Sequence, residues 1–163
     1  MLQSAMEMTA KSVNPSLLPR IIALVATIDL TMVRNKLKQS TYPIAWDELR
    51  LDRAELLYRR YLTMNLLYPG ATIVPTEDVD AFWHQHILDT KAYADDCQRV
   101  FGYFLHHFPY LGLRGDEAAL NTAFEQTRKL YEALFHQSYT CSADVHGENC
   151  CGSCSCSGEI RVQ

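Results

Sequence analysis

Apolar residues recur at steps of three and four along most of the chain, which is the spacing of one buried helical face. Leu18, Ile21, Ile22, Val25, Ile28, Met32 and Leu37 predict a helix from about Ser16 to Lys38. Pro19 fits its first turn, and Arg34, Lys36 and Lys38 suit the negative end of its dipole. After a polar connection at 39–43, Leu49, Leu57, Tyr61 and Met64 predict a second helix from Ala45 to Leu67, with Asp52, Arg53, Arg59 and Arg60 on its solvated side. Tyr68-Pro69-Gly70 stops it, and Ala71–Pro75 reads as a short extended link. Thr76 caps a third helix that runs to Leu88, with Glu77 and Asp78 in its first turn. Asp89-Thr90 opens a fourth, from Lys91 to about Phe104, whose inner stripe is Tyr93, Cys97, Phe101 and Phe104. Residues 106–112 break the period. A fifth helix from Asp116 carries Leu120, Ala123, Phe124, Thr127, Leu130, Tyr131, Leu134 and Phe135.

No stretch sustains strand alternation, so the prediction is an all-α protein, a compact bundle of about five helices. Residues 1–15 are weakly patterned and expected to be a flexible N-terminus. The helical domain is placed at 16–138, and 139–163 reads as a disordered tail rich in Cys, Ser and Gly. At 163 residues and 48% apolar content the chain is long enough for one core, burying roughly 70% of its unfolded surface. The net charge of −4 argues against a nucleic-acid partner. The most apolar run, Ile21–Ile28, is far shorter than a bilayer span, and Met1–Val13 lacks a secretory pattern, so no membrane association and a cytoplasmic location are expected.

Four of the six histidines, His84, His86, His106 and His107, fall close together among Asp78, Asp80, Asp89, Asp95, Asp96 and Cys97. Imidazole and carboxylate are the ligands of zinc, iron and manganese. At 100° per residue His84 and His86 point about 200° apart, so one regular helix cannot aim both at one ion. Asp80 and His84 are an i,i+4 pair that can share a ligand or a proton. The expected site is therefore Asp80 and His84 completed by His107 or His106, with Cys97 and His86 behind. The plainer alternatives are a core histidine at His86, bonded to a backbone carbonyl, and a buried structural thiol at Cys97.

The other five cysteines lie in the last 23 residues. Cys141, His146, Cys150, Cys151, Cys154 and Cys156 form a set able to chelate zinc or cuprous copper, or to undergo redox chemistry. The leading expectation is thus a metal-binding protein holding zinc, iron or copper. The alternatives are an interaction module whose histidines are structural and which has a protein partner, and a metal-dependent hydrolase or oxidase.

The segment IVPTEDVDAFWHQHILDTKAYADDCQRVFGYFLHHFPYLG resembles the glycine-rich-domain-containing-protein-like family of plants, fungi and bacteria. The resemblance is carried by Pro75, Asp78, Asp80, Trp83, His84, His86, Asp89, Thr90, Tyr93, Asp96, Cys97, Phe101, Gly102, His107, Pro109 and Tyr110. The upstream stretch ELLYRRYLTMNLLYPG is also similar, and the tail resembles, in a shorter and more Ser-rich form, the Gly/Cys-rich ends of bacterial members. The resemblance implies no particular reaction.

Overall fold

In a computed structural model, which describes residues 16–40 and 45–139, the chain is helical with no strand among those residues. The helices are α1 (Leu17–Ala26), α2 (Thr31–Lys38), α3 (Glu48–Leu67), α4 (Glu77–Leu88), α5 (Thr90–Val100) and α6 (Glu117–Phe135). The long α3 is the centre of the bundle and packs against α1, α2 and α4, while α4 also packs on α2 and α5. No helix among the described residues is long and apolar enough to cross a membrane.

The helix expected over 16–38 is two helices. The Thr27 backbone N–H and hydroxyl both return to the Leu24 carbonyl, and the Asp29 carboxylate accepts from the Thr31 N–H to start α2. The break lets both Ile28 and Leu30 turn inward. Arg59 reaches across from α3 and donates to the carbonyl of Val25, at the end of α1, at 3.0 Å and to that of Ile28, in the link to α2, at 3.1 Å. Arg59 is therefore not the solvated residue its helical position suggested. Its guanidinium, clamped by Glu55 at 2.7 Å, closes the α1–α2 corner.

Two further boundaries differ from the expected ones. Helix α3 begins at Glu48, because the Asp47 side chain accepts from the Arg50 N–H at 2.8 Å and caps it there. Its buried face is Leu51, Ala54, Leu57, Tyr58, Tyr61, Leu62 and Met64. Leu49 lies nearly half a turn from Leu51 and is 67% exposed, so it does not belong to the stripe. Helix α5 stops at Val100 rather than near Phe104. Gly102 adopts φ 75° and its N–H returns to the Cys97 carbonyl, a left-handed termination that a side chain would strain. Phe104 is consequently outside the helix and exposed.

These details give two expected stabilities. Asp47→Ala should lower the unfolding free energy by about 1 kcal/mol, since the side chain is an exposed cap without packing. Leu49→Ala should change it by less than about 0.5 kcal/mol. Urea titration of each variant measures both.

The 71–76 link is tied down by α6 and the residue beyond its end. The Val74 N–H donates to the Thr127 hydroxyl at 3.0 Å, and the Tyr139 hydroxyl donates to the Val74 carbonyl at 2.9 Å. Tyr139 is buried against Phe124 and Tyr131, so the packed body reaches at least this residue. The expected N-terminal flexibility at 1–15 lies outside the described residues, as does the chain beyond Tyr139.

Candidate metal centre

Thr76 accepts from the Val79 N–H and sets the start of α4, which places Asp80 one turn ahead of His84 on the same face. Asp80 Oδ2 lies 3.5 Å from His84 Nδ1. The third member arrives from a different element: His107, in the segment after α5, brings Nε2 to 2.8 Å from Asp80 Oδ1. The imidazole rings of His84 and His107 are 4.5 Å apart between centroids. One donor atom from each of the three residues lies within 4.8 Å of the other two.

A tetrahedral ion with ligands at ~2.1 Å separates its donors by roughly 3.4 Å. The Asp80–His84 pair already has that spacing. The Asp80–His107 pair is closer, at direct hydrogen-bond distance, and an ion entering the group would replace that hydrogen bond. His107 is mostly buried, whereas His84 is about half exposed (51% for its side chain). All three line an open cleft of about 740 Å³, whose other walls include Ile73, Val74, Pro75, Trp83, Phe108 and Leu120. Two imidazoles and a carboxylate facing such a cleft leave coordination positions for water or substrate, as in catalytic zinc sites and in two-His-one-carboxylate iron sites.

What holds His107 there is a relay through Trp83 and Tyr93. The Trp83 indole N–H donates to the Tyr93 hydroxyl at 2.8 Å, and that hydroxyl donates to the Leu105 carbonyl at 2.6 Å. The segment carrying His107 is thereby pinned to α4 and α5, and the Trp83 ring packs on the His107 ring with centroids 4.6 Å apart. Helical spacing alone treats Trp83 and Tyr93 as core. The sequence signal for more was the polar atom on each ring, because a buried indole N–H or phenol O–H needs a partner.

The other expected donors are placed elsewhere. His106 is exposed and packs on Phe104, and it is not part of the converging set. Cys97 is a free thiol buried in the core. His86 is a core histidine, but its partners are side chains rather than a backbone carbonyl. Its Nδ1 lies 2.9 Å from the Tyr58 hydroxyl and its Nε2 3.2 Å from Asp96 Oδ2. An ionised Asp96 can only accept, so Nε2 carries the proton and Nδ1 accepts from Tyr58. Arg99 in turn bonds Asp96 and the Thr27 hydroxyl, linking this network to the α1 corner. The tail set Cys141, His146, Cys150, Cys151, Cys154 and Cys156 lies outside the described residues.

Burial holds the His86 imidazole below its ordinary value of 6.5, outweighing the opposing pull of Asp96. In the unfolded chain the ring binds a proton at higher pH than in the fold. Its contribution to stability is therefore fully present above about pH 6.5 and is lost as pH falls toward the lower folded value. Unfolding free energy measured by urea should rise with pH through the interval just below 6.5, and His86→Gln should flatten that rise.

The geometry defines a class: a helical protein with a two-histidine, one-carboxylate cluster on an open cleft. Residues 22–134 match the UCP032817-like family, and the chain belongs to it. The chain is 36% identical over 73 residues to glycine-rich domain-containing protein 1 of Arabidopsis thaliana, a match covering 45% of this chain and 9% of that protein. Glycine-rich domain-containing protein 2 of the same plant is 33% identical over 66 residues, covering 40% of this chain and 8% of its own length. The chain thus matches less than a tenth of the length of these relatives. No solved structure matches.

Proposed function

We propose that the protein binds a divalent transition metal, zinc or ferrous iron, through Asp80, His84 and His107. The single observation behind this reading is the convergence of three donors from two elements on one open cleft. The donor set is hard to borderline, which favours these ions over cuprous copper in the body of the protein. Three protein ligands are typical of sites that keep a position for an exchangeable ligand, whereas structural zinc sites close with four. In such a site the ion lowers the pKa of bound water or polarises a substrate oxygen, which is the chemistry of a metal-dependent hydrolase; with ferrous iron it is that of an oxidase.

Metal titration of chelator-stripped full-length chain, with its five tail cysteines changed to serine, tests the reading. One ion per chain is expected, and uptake under ~0.2 per chain would overturn it.

A second reading has an observation of its own. Phe104, Phe108, Tyr110 and Leu113 are exposed along the segment that borders the cleft, more large apolar surface than this segment needs for its own packing. If the Asp80–His107 hydrogen bond serves only to rigidify that segment, the surface is a protein-binding face. That reading expects an unchanged melting temperature with and without added metal.

A further inference from the structure

We propose that the cleft takes an apolar monocarboxylate, with its carboxylate on the ion held by Asp80, His84 and His107 and its hydrocarbon body along the walls. This rests on the metal reading above and names the class of ligand that the same site accepts.

Charge is the first reason. Among the described residues that line the cleft there is no Lys or Arg, whereas Asp80 and Glu77 both line it. Asp80 contributes one negative charge and the two imidazoles none, so a dication bound there keeps a net charge of +1. One carboxylate cancels that charge. A phosphate or a dicarboxylate brings a second negative charge, which proteins ordinarily meet with Arg or Lys. The described lining offers neither, and Glu77, exposed on the same cleft, repels it. Desolvating an unpaired charge against apolar walls is costly.

The walls are the second reason. Pro75, Leu105, Phe108, Leu111 and Leu120 line the cleft, and each keeps some exposure, up to 63% at Phe108. Their apolar surface is available for a ligand to cover. Two polar members of the lining are engaged within the fold: the Thr76 hydroxyl caps α4, and the Asn65 amide donates to the Tyr61 carbonyl at 2.9 Å. One convergent polar cluster in a mostly apolar cleft is the pattern of a site for a ligand with a single polar head.

These walls are also built before any ligand arrives. The link bearing Val74 and Pro75 is tied to Thr127 and Tyr139, and Tyr93 holds the Leu105 carbonyl. Beyond Leu111, the Gly112 and Arg114 N–H groups both donate to Asp116 Oδ1, at 3.0 and 3.1 Å. Gly112 has φ 89° and lies so near α6 that a Cβ there would stand 2.6 Å from Leu120 Cδ2. Glycine permits that approach, which seats the turn after Leu111 against Leu120. A preformed wall spares a ligand the cost of ordering it.

Cobalt(II) bound to the full-length chain, with its tail cysteines changed to serine, is the probe. Acetate, hexanoate and octanoate are titrated against its visible d–d bands. Affinity should rise about threefold per methylene, so that octanoate binds at least about 100-fold more tightly than acetate. Octyl phosphate and octanedioate carry a second charge on a matched chain, and each should bind at least about tenfold more weakly than octanoate. Phe108→Ala and Leu120→Ala should each weaken octanoate about three- to tenfold and leave acetate unchanged. Phe108 is exposed, so its truncation leaves the fold intact. Equal affinities for acetate and octanoate, or tighter binding of octyl phosphate, would overturn the inference, with cobalt uptake leaving the metal site standing. Octanoate binding of equal strength without cobalt, measured by calorimetry, would overturn it too, because the ion would not be the anchor. A chain that takes up no cobalt would overturn the metal reading, and the inference with it.

Discussion

Arg50→Ala is expected to destabilise the protein by about 3–5 kcal/mol, a large part of the roughly 5–15 kcal/mol that holds a domain of this kind. The reason is Asp78. Its side chain is only 3% exposed, although it stands in the first turn of α4, where acidic residues are usually solvated. Arg50 Nε and Nη2 both donate to Asp78 Oδ1, at 3.1 and 2.7 Å, and the guanidinium lies over the Trp46 ring at 4.0 Å. Removing the cation leaves a buried carboxylate with its charge uncompensated and strips a stacked surface from Trp46. The pair also fixes how α4 sits on α3, since the two residues are 28 positions apart. Asp78→Ala in the same chain should recover part of the loss, because it removes the stranded charge along with its partner. Urea unfolding of the two single variants and the double variant gives the coupling. A loss below about 1 kcal/mol in Arg50→Ala would mean that water already screens the pair.

The second large effect concerns the cleft. Asp80→Ala and His107→Ala should each weaken metal binding in the body by at least about 100-fold, leaving the fold intact. Asp80 is the common neighbour of both imidazoles, 2.8 Å from His107 Nε2 and 3.5 Å from His84 Nδ1. Its loss removes the charge that makes the site attractive to a dication and releases both rings. His84 is the more exposed imidazole, so His84→Ala should cost less. Tyr93→Phe tests the positioning of His107, since it leaves the Leu105 carbonyl and the Trp83 indole N–H without their shared partner. It should weaken metal binding about 10- to 100-fold, as loss of a group outside the ligand shell usually does. Isothermal titration with zinc measures all four. Equal affinities across the series would return the histidines to a purely structural role.

Much of this architecture was legible in the residue pattern. The all-α class follows from apolar spacing, and the caps at Thr76 and Asp89 follow from short polar side chains at helix starts, both of which accept a backbone N–H. The Asp80–His84 pair was visible because two residues four apart on one helix must be neighbours. The stops were harder. Thr27–Leu30 carries enough apolar residues to continue the period, and the turn there rests on the local bonds of Thr27 and Asp29 together with the carbonyl-capping Arg59, which another helix contributes. Phe101-Gly102 was a readable stop, yet the apolar stripe continuing to Phe104 masked it.

The residues themselves determine which side chains share a helical face, because rotation per residue is constant along a helix. That was enough to keep His84 and His86 apart and to put Asp80 beside His84. Only the tertiary structure decides which distant segments meet: that His107 rather than His106 faces Asp80, that Asp78 is buried under Arg50, and that Tyr93 pins Leu105. Adjacent residues outside a helix have no fixed relative direction, so the choice between two neighbouring histidines was left to the packing of Trp83 and the hydrogen bonds around it.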